Sequence, residues 1–115
     1  MSWNTICTLN DILPYGGRAA LLDGEQVAVF RIPSAEGDKL FAVANHDPFS
    51  GANVLSRGLV GSIGDTLVVA SPIYKQHFDL ATGQCLEDES VKLKTWPVRL
   101  EGDDVQLAST EKATA

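Results

Sequence analysis

Cysteine is scarce in this chain: Cys7 and Cys85 are the only two thiols among 115 residues. Far apart, and in a chain without a secretory start, they are expected to be reduced core residues rather than a bridge, because buried thiols behave as small hydrophobes. A secretory start is missing because Met1, Ser2, Trp3, Asn4 and Thr5 carry no positive side chain and no continuous apolar stretch. No apolar run is long enough to span a bilayer either, so a cytoplasmic location is expected. Basic residues are few, nine against fifteen acidic, for a formal charge of −6. That balance opposes a phosphate backbone and argues against general nucleic-acid binding, though not against a basic protein partner. The chain also lacks internal repeats, low-complexity segments and sustained helical periodicity. It has no Gly-x-Gly-x-x-Gly fingerprint for a dinucleotide.

What is present is an ordinary folding composition, 44% hydrophobic and 21% charged, at a length that suits one domain with one core. Short runs rich in Val, Ile, Leu and Phe recur between turn signals, the pattern of an all-β sandwich or barrel. Residues 3–9 read as a first strand, followed by a turn at 10–13 that Asn10 can cap and Pro14 stops. Residues 18–22 and 26–32 flank Asp23, Gly24 and Glu25, a strong hairpin signal, and a polar turn at 34–38 leads into a strand at 39–44. From 45 to 65 prolines and glycines break up any regular element, which reads as one long loop, and loops of that length usually have a task. A strand at 66–70 and a second irregular stretch at 71–75 follow. Residues 76–80 then pair with 84–86 across a turn at 81–83. Residues 94–100 and 105–107 close the fold as a last hairpin, with Pro97 placed at an edge or bulge because it cannot donate to the ladder. The domain is expected to span 1–108, with 109–115 a flexible C-terminal tail.

The second irregular stretch carries a family resemblance. Pro72, Phe78 and Gly83 keep the places they hold in the pattern Cys-Pro-x-His-Gly-x-x-Phe-x-x-x-x-Gly, the second cluster-binding loop of a Rieske domain. Ser71 stands where the cysteine belongs and Tyr74 where the histidine belongs. In the first loop, which resembles Cys-x-His, Asn45 and Asp47 take those two places. The resemblance therefore implies a Rieske-like fold whose four ligand positions have degenerated. A Rieske [2Fe–2S] centre needs two thiolates on one iron and two imidazoles on the other. The chain owns two cysteines and two histidines, but neither Cys7 nor Cys85 lies near His46 or His77 in the required short pairs. Serine and tyrosine oxygens are hard donors of high pKa and substitute poorly for thiolate and imidazole.

The remaining candidates are weaker. Alternation around Phe78 and Leu80 puts His77 and Asp79 outward as solvated strand residues. His46 beside Asp47 offers one imidazole and one carboxylate, too few for zinc. A hydrolase built from Ser71, His77 and Asp79 has no nucleophile elbow or oxyanion loop around the serine. Over nearly the whole chain, including Ile6, Cys7, residues 11–14, 45–60, 70–78 and 83–89, the sequence is similar to the small subunits of assimilatory NAD(P)H-dependent nitrite reductases. What that resemblance implies is an accessory chain without a cofactor of its own. Its partner would be a large catalytic subunit carrying FAD, siroheme and an iron–sulfur cluster and reducing nitrite to ammonium. Phe49, Arg57, Ile73, Tyr74 and Lys75 are then candidate interface residues, while Phe78 is expected in the core. A Rieske-type ferredoxin with an unconventional cluster is the alternative.

Overall fold

The computed structural model describes residues 2–109. It is all-β, as expected, with strands β1 (Ser2–Thr8), β2 (Gly17–Leu22), β3 (Glu25–Ile32), β4 (Lys39–Ala44), β5 (Leu59–Ile63), β6 (Thr66–Ala70), β7 (His77–Asp79), β8 (Val98–Glu101) and β9 (Asp104–Ser109). They form three antiparallel three-stranded sheets, ordered β1–β9–β8, β2–β3–β4 and β5–β6–β7. No helix among the described residues is long and apolar enough to cross a membrane.

The β2–β3–β4 sheet is the middle layer. Successive side chains of a strand point to opposite faces, and β3 uses both faces for burial. Val27 and Val29 join Ala42, Trp96, Val105 and Leu107 in one core cluster. Ala28, Phe30 and Ile32 join Leu55, Val69, Phe78 and Leu80 in the other. The run from Val27 to Phe30 is therefore continuously apolar rather than alternating, as a strand covered on both sides requires. Each of these larger side chains contributes roughly 1.5–3 kcal/mol by leaving water.

The hairpin signal at Asp23 and Gly24 is realised as a two-residue turn with φ of 52° and 80° at those residues. Both lie in the left-handed region that a type I′ turn needs. At the first turn the expected cap is displaced. The carboxylate of Asp11, not Asn10, closes it by accepting the Thr8 N–H at 2.9 Å and the Thr8 hydroxyl at 3.1 Å. The pairing of 76–80 with 84–86 survives as one bridge, Phe78 to Cys85, flanked by the Asp79 and Leu86 N–H bonds to the Gln84 and His77 carbonyls. Pro97 sits just ahead of the edge strand β8, where its carbonyl accepts the Ala108 N–H at 3.1 Å.

One expectation needs correction. Residues 45–65 are not one loop, since β5 lies within them and pairs in register with β6 from Leu59–Ala70 to Ile63–Thr66. Three glycines concealed it, each for a different reason. A Cβ on Gly58 would stand 2.4 Å from the Ala70 carbonyl oxygen, Gly61 faces open space, and Gly64 at φ +61° makes the hairpin turn. At the end of the described residues β9 runs to Ser109. Ala108 is buried, and Ser109 still pairs with Ser2 and donates its hydroxyl to Asp23 at 2.6 Å. The rest of the expected tail, 110–115, lies outside the described residues.

Candidate functional site

The two irregular stretches carry the three buried polar side chains among the described residues, Asn45, Asp47 and Ser71. The chain enters the first loop from β4, and Asn45 fastens that entry. Its amide donates to Gln26 Oε1 at 3.2 Å and to the Asn53 carbonyl at 3.3 Å, and its Oδ1 accepts the Ser56 N–H at 2.7 Å. Asp47 then folds the loop over itself, its carboxylate accepting the Phe49 N–H at 2.9 Å and the Ser50 hydroxyl at 3.1 Å. A third bond crosses to the second loop, where the Ser71 hydroxyl donates to Asp47 Oδ2 at 2.6 Å. A hydroxyl bonded to an ionised carboxylate at that distance is a strong, charge-assisted contact. Burial pushes the Asp47 carboxyl up, but the Ser71, Phe49 and Ser50 donors together pull it further down, so it is held below the usual carboxylate range.

The second loop closes on the same serine. Ser71 Oγ accepts the Ile73 N–H at 3.2 Å, the Ser71 carbonyl accepts the Lys75 N–H at 3.1 Å, and the Ser71 N–H reaches the Gln76 carbonyl at 2.9 Å. Lys75 completes the turn at φ 69°, a left-handed conformation that bulky side chains rarely adopt. The turn holds Ile73, Tyr74 and Lys75 out in solvent, Tyr74 with 59% of its surface exposed. Arg57 is likewise exposed. Phe49 leans inward instead, half-buried, with its ring 6.2 Å from that of Phe78, and Phe78 is fully buried as expected.

Of the four degenerate ligand positions, Asp47 and Ser71 thus meet, Asn45 is tied instead to Gln26, Asn53 and Ser56, and Tyr74 stands in solvent. The group that the fold family implies does not fit these donors. Asn45 supplies an amide whose atoms are bonded on both sides, and both oxygens of Asp47 are already taken by hydrogen bonds. The cysteines stand elsewhere, Cys7 on β1 and Cys85 against Phe78. Burial pushes both thiols up, away from the thiolate that an iron would need. Among the described residues no group of three His, Cys, Asp or Glu side chains is arranged to hold a metal ion.

His46 turns from Asp47 to Asn53, with Nδ1 3.1 Å from Asn53 Oδ1. Asp79 caps the turn after it by accepting the Ala81 and Thr82 N–H groups, so it forms no triad with Ser71 and His77. His77 has a partner that the sequence reading did not find: its Nδ1 lies 2.6 Å from Glu87 Oε2, and its N–H donates to Glu87 Oε1 at 2.8 Å. Burial raises the Glu87 carboxyl, and the His77 backbone and ring lower it by more. The signal for this contact was the expected pairing of 76–80 with 84–86, which carries Glu87 back alongside His77.

The family profile described as a Rieske-like [2Fe-2S] domain matches residues 2–108. The "Nitrite reductase (NADH) small subunit" of Salmonella typhimurium is 48% identical over 105 residues, covering 91% of this chain and 95% of that one. A stretch of the "Nitrite reductase [NAD(P)H] large subunit" of Klebsiella oxytoca is 38% identical over 109 residues, 95% of this chain and 11% of that protein. Among solved structures, the Escherichia coli protein NirD superposes with a TM-score of 0.83 at 46% identity, covering 92% of this chain and 94% of that one.

Proposed function

The chain belongs to the Rieske-like [2Fe-2S] domain family and, within it, to the nitrite reductase small subunits, and on that footing we propose that it is the non-catalytic small subunit of an NAD(P)H-dependent nitrite reductase of nitrate assimilation. Its partner is the large catalytic subunit, where the FAD, siroheme and iron–sulfur chemistry that converts nitrite to ammonium resides. The chain carries no cluster and works in the cytoplasm. The observation that carries this reading is the Asp47–Ser71 contact. The two loops that hold a cluster elsewhere in the fold family are locked here by hydrogen bonds between side chains that offer neither thiolate nor imidazole, so loop shape survives without the cofactor. The Klebsiella large subunit supports the partnership, because a homologous stretch there forms part of the large polypeptide itself.

The locked loops form the docking face. Ile73, Tyr74 and Lys75 stand on a turn fixed at both ends by Ser71, which limits the ordering cost when they are buried against a partner. Phe49 supports the face from beneath and Arg57 borders it. Tyr74→Ala is the test, read by co-purification with the large subunit, nitrite-dependent NAD(P)H oxidation and melting of the small subunit alone. The expected outcome is impaired assembly at an unchanged melting temperature, since an exposed ring contributes little to the fold. A lowered melting temperature with intact assembly assigns Tyr74 to packing. If wild-type chain fails to come down with the large subunit, the assignment of partner is wrong.

A further inference from the structure

Three three-stranded sheets expose six strand edges, and an open edge is a template for pairing with another chain unless something blunts it. β4 is covered by residues 94–96 through the Ala44 N–H bond to the Lys94 carbonyl and the Trp96 N–H bond to the Ala42 carbonyl. β7 is covered by residues 84–86, β1 is broken in register between Thr5 and Cys7, and β8 follows Pro97 and carries Arg99 and Glu101. β2 carries Arg18. β5 has none of these devices among the described residues. Its five residues, Leu59–Ile63, include no charge and no proline, and its register is unbroken. On the face shared by alternate residues, Leu59 is 77% and Ile63 46% exposed.

The sequence around this edge is symmetric about its middle. Leu59 stands two residues before Gly61 and Ile63 two after, while Arg57 stands four before and Asp65 four after. Arg57 and Asp65 are both exposed, and neither forms an ion pair among the described residues. We propose that β5 is a self-association edge, on which two copies of this chain pair antiparallel about a two-fold axis through Gly61. In that register Leu59 lies against Ile63 of the second copy and Arg57 reaches toward its Asp65, each contact occurring twice as an isologous interface demands.

The backbone fits the same register. The two-residue turn makes Ile63–Thr66 the closing pair of the β5–β6 hairpin, with both hydrogen bonds directed at β6. Alternation along an antiparallel ladder then turns the amides and carbonyls of Val60 and Ser62 to the open edge. In the two-fold pair Val60 meets Ser62 of the second copy, which satisfies those groups. The central Gly61 pair falls at a close-approach position, where nothing within 4 Å opposes it. The product is a continuous six-stranded sheet across two molecules. So short a contact is expected to be weak, in the micromolar range or above.

Sedimentation equilibrium of the full chain from about 1 μM to about 1 mM tests this, over the span in which weak dimers populate. Wild type is expected to pass reversibly from monomer to dimer, and a chain that stays monomeric throughout overturns the proposal. Leu59→Lys places a like charge on each side of the seam and is expected to leave a folded monomer; dimerisation equal to wild type would mean another surface is used. Arg57→Asp is expected to weaken the dimer about tenfold, since repulsion replaces attraction twice, and adding Asp65→Arg to it is expected to restore pairing. No recovery in the double variant overturns the register. Binding to the large subunit is read separately on wild type and Leu59→Lys, which leave the proposed docking residues intact, so its failure bears on the function proposed above and not on this edge.

Discussion

Ser71 is the residue on which the two loops depend. It donates across to Asp47, receives Ile73, and anchors both ends of the second turn. Ser71→Ala leaves a buried carboxylate one donor short, an expected loss of about 1–3 kcal/mol, read by chemical denaturation. The pH dependence follows from Asp47, whose carboxyl is held below its ordinary value of 3.8 when folded. A lowered folded pKa adds stability above the unfolded value and loses it as the pH falls through the folded value. Wild type should therefore exceed Asp47→Asn in stability near neutrality, with the gap closing below about pH 4. Ser71 could be picked out because Pro72, Phe78 and Gly83 set the frame of the second loop, and Asp47 because the first loop resembles Cys-x-His. That Asp47 and Ser71 bond to each other was not legible, because a contact between residues so far apart in sequence leaves no local pattern.

At the scale of elements, glycine explains both what could be read and what was missed. Asp23 and Gly24 announced their hairpin because two adjacent left-handed residues between apolar runs have few other uses. Gly58, Gly61 and Gly64 disguised β5, since glycine counts against a strand whether it stands there for packing, for want of a neighbour or for a turn. The three reasons separate by substitution. Gly58→Ala drives a methyl group into the Ala70 carbonyl and the Val69 side chain, an expected cost of about 1–3 kcal/mol or more. Gly61→Ala meets nothing and is expected to stay within about 0.5 kcal/mol of wild type. Thermal melts of the two variants, measured dilute so that monomers are compared, check the contrast. Similar effects at both positions would mean that the close approach of Gly58 to β6 has been misjudged.

On the scale of the whole molecule, the all-β class and most of the strands could be read from turn signals and apolar runs. The layering could not, because the assignment of β3 to the middle depends on which strands stack over it. With hindsight the run from Val27 to Phe30 held the hint, since a strand with one wet face would have shown polar residues at every second position. Amide hydrogen exchange is expected to be slowest along β3 and to report there the free energy of global unfolding. Faster exchange in β3 than in β6 or β9 would contradict the layering. Because one strand furnishes a wall of each core, damage to either weakens the scaffold of both. Neither half of the molecule can then melt alone, and a partner that grips the outer loops should raise the temperature at which the entire chain lets go.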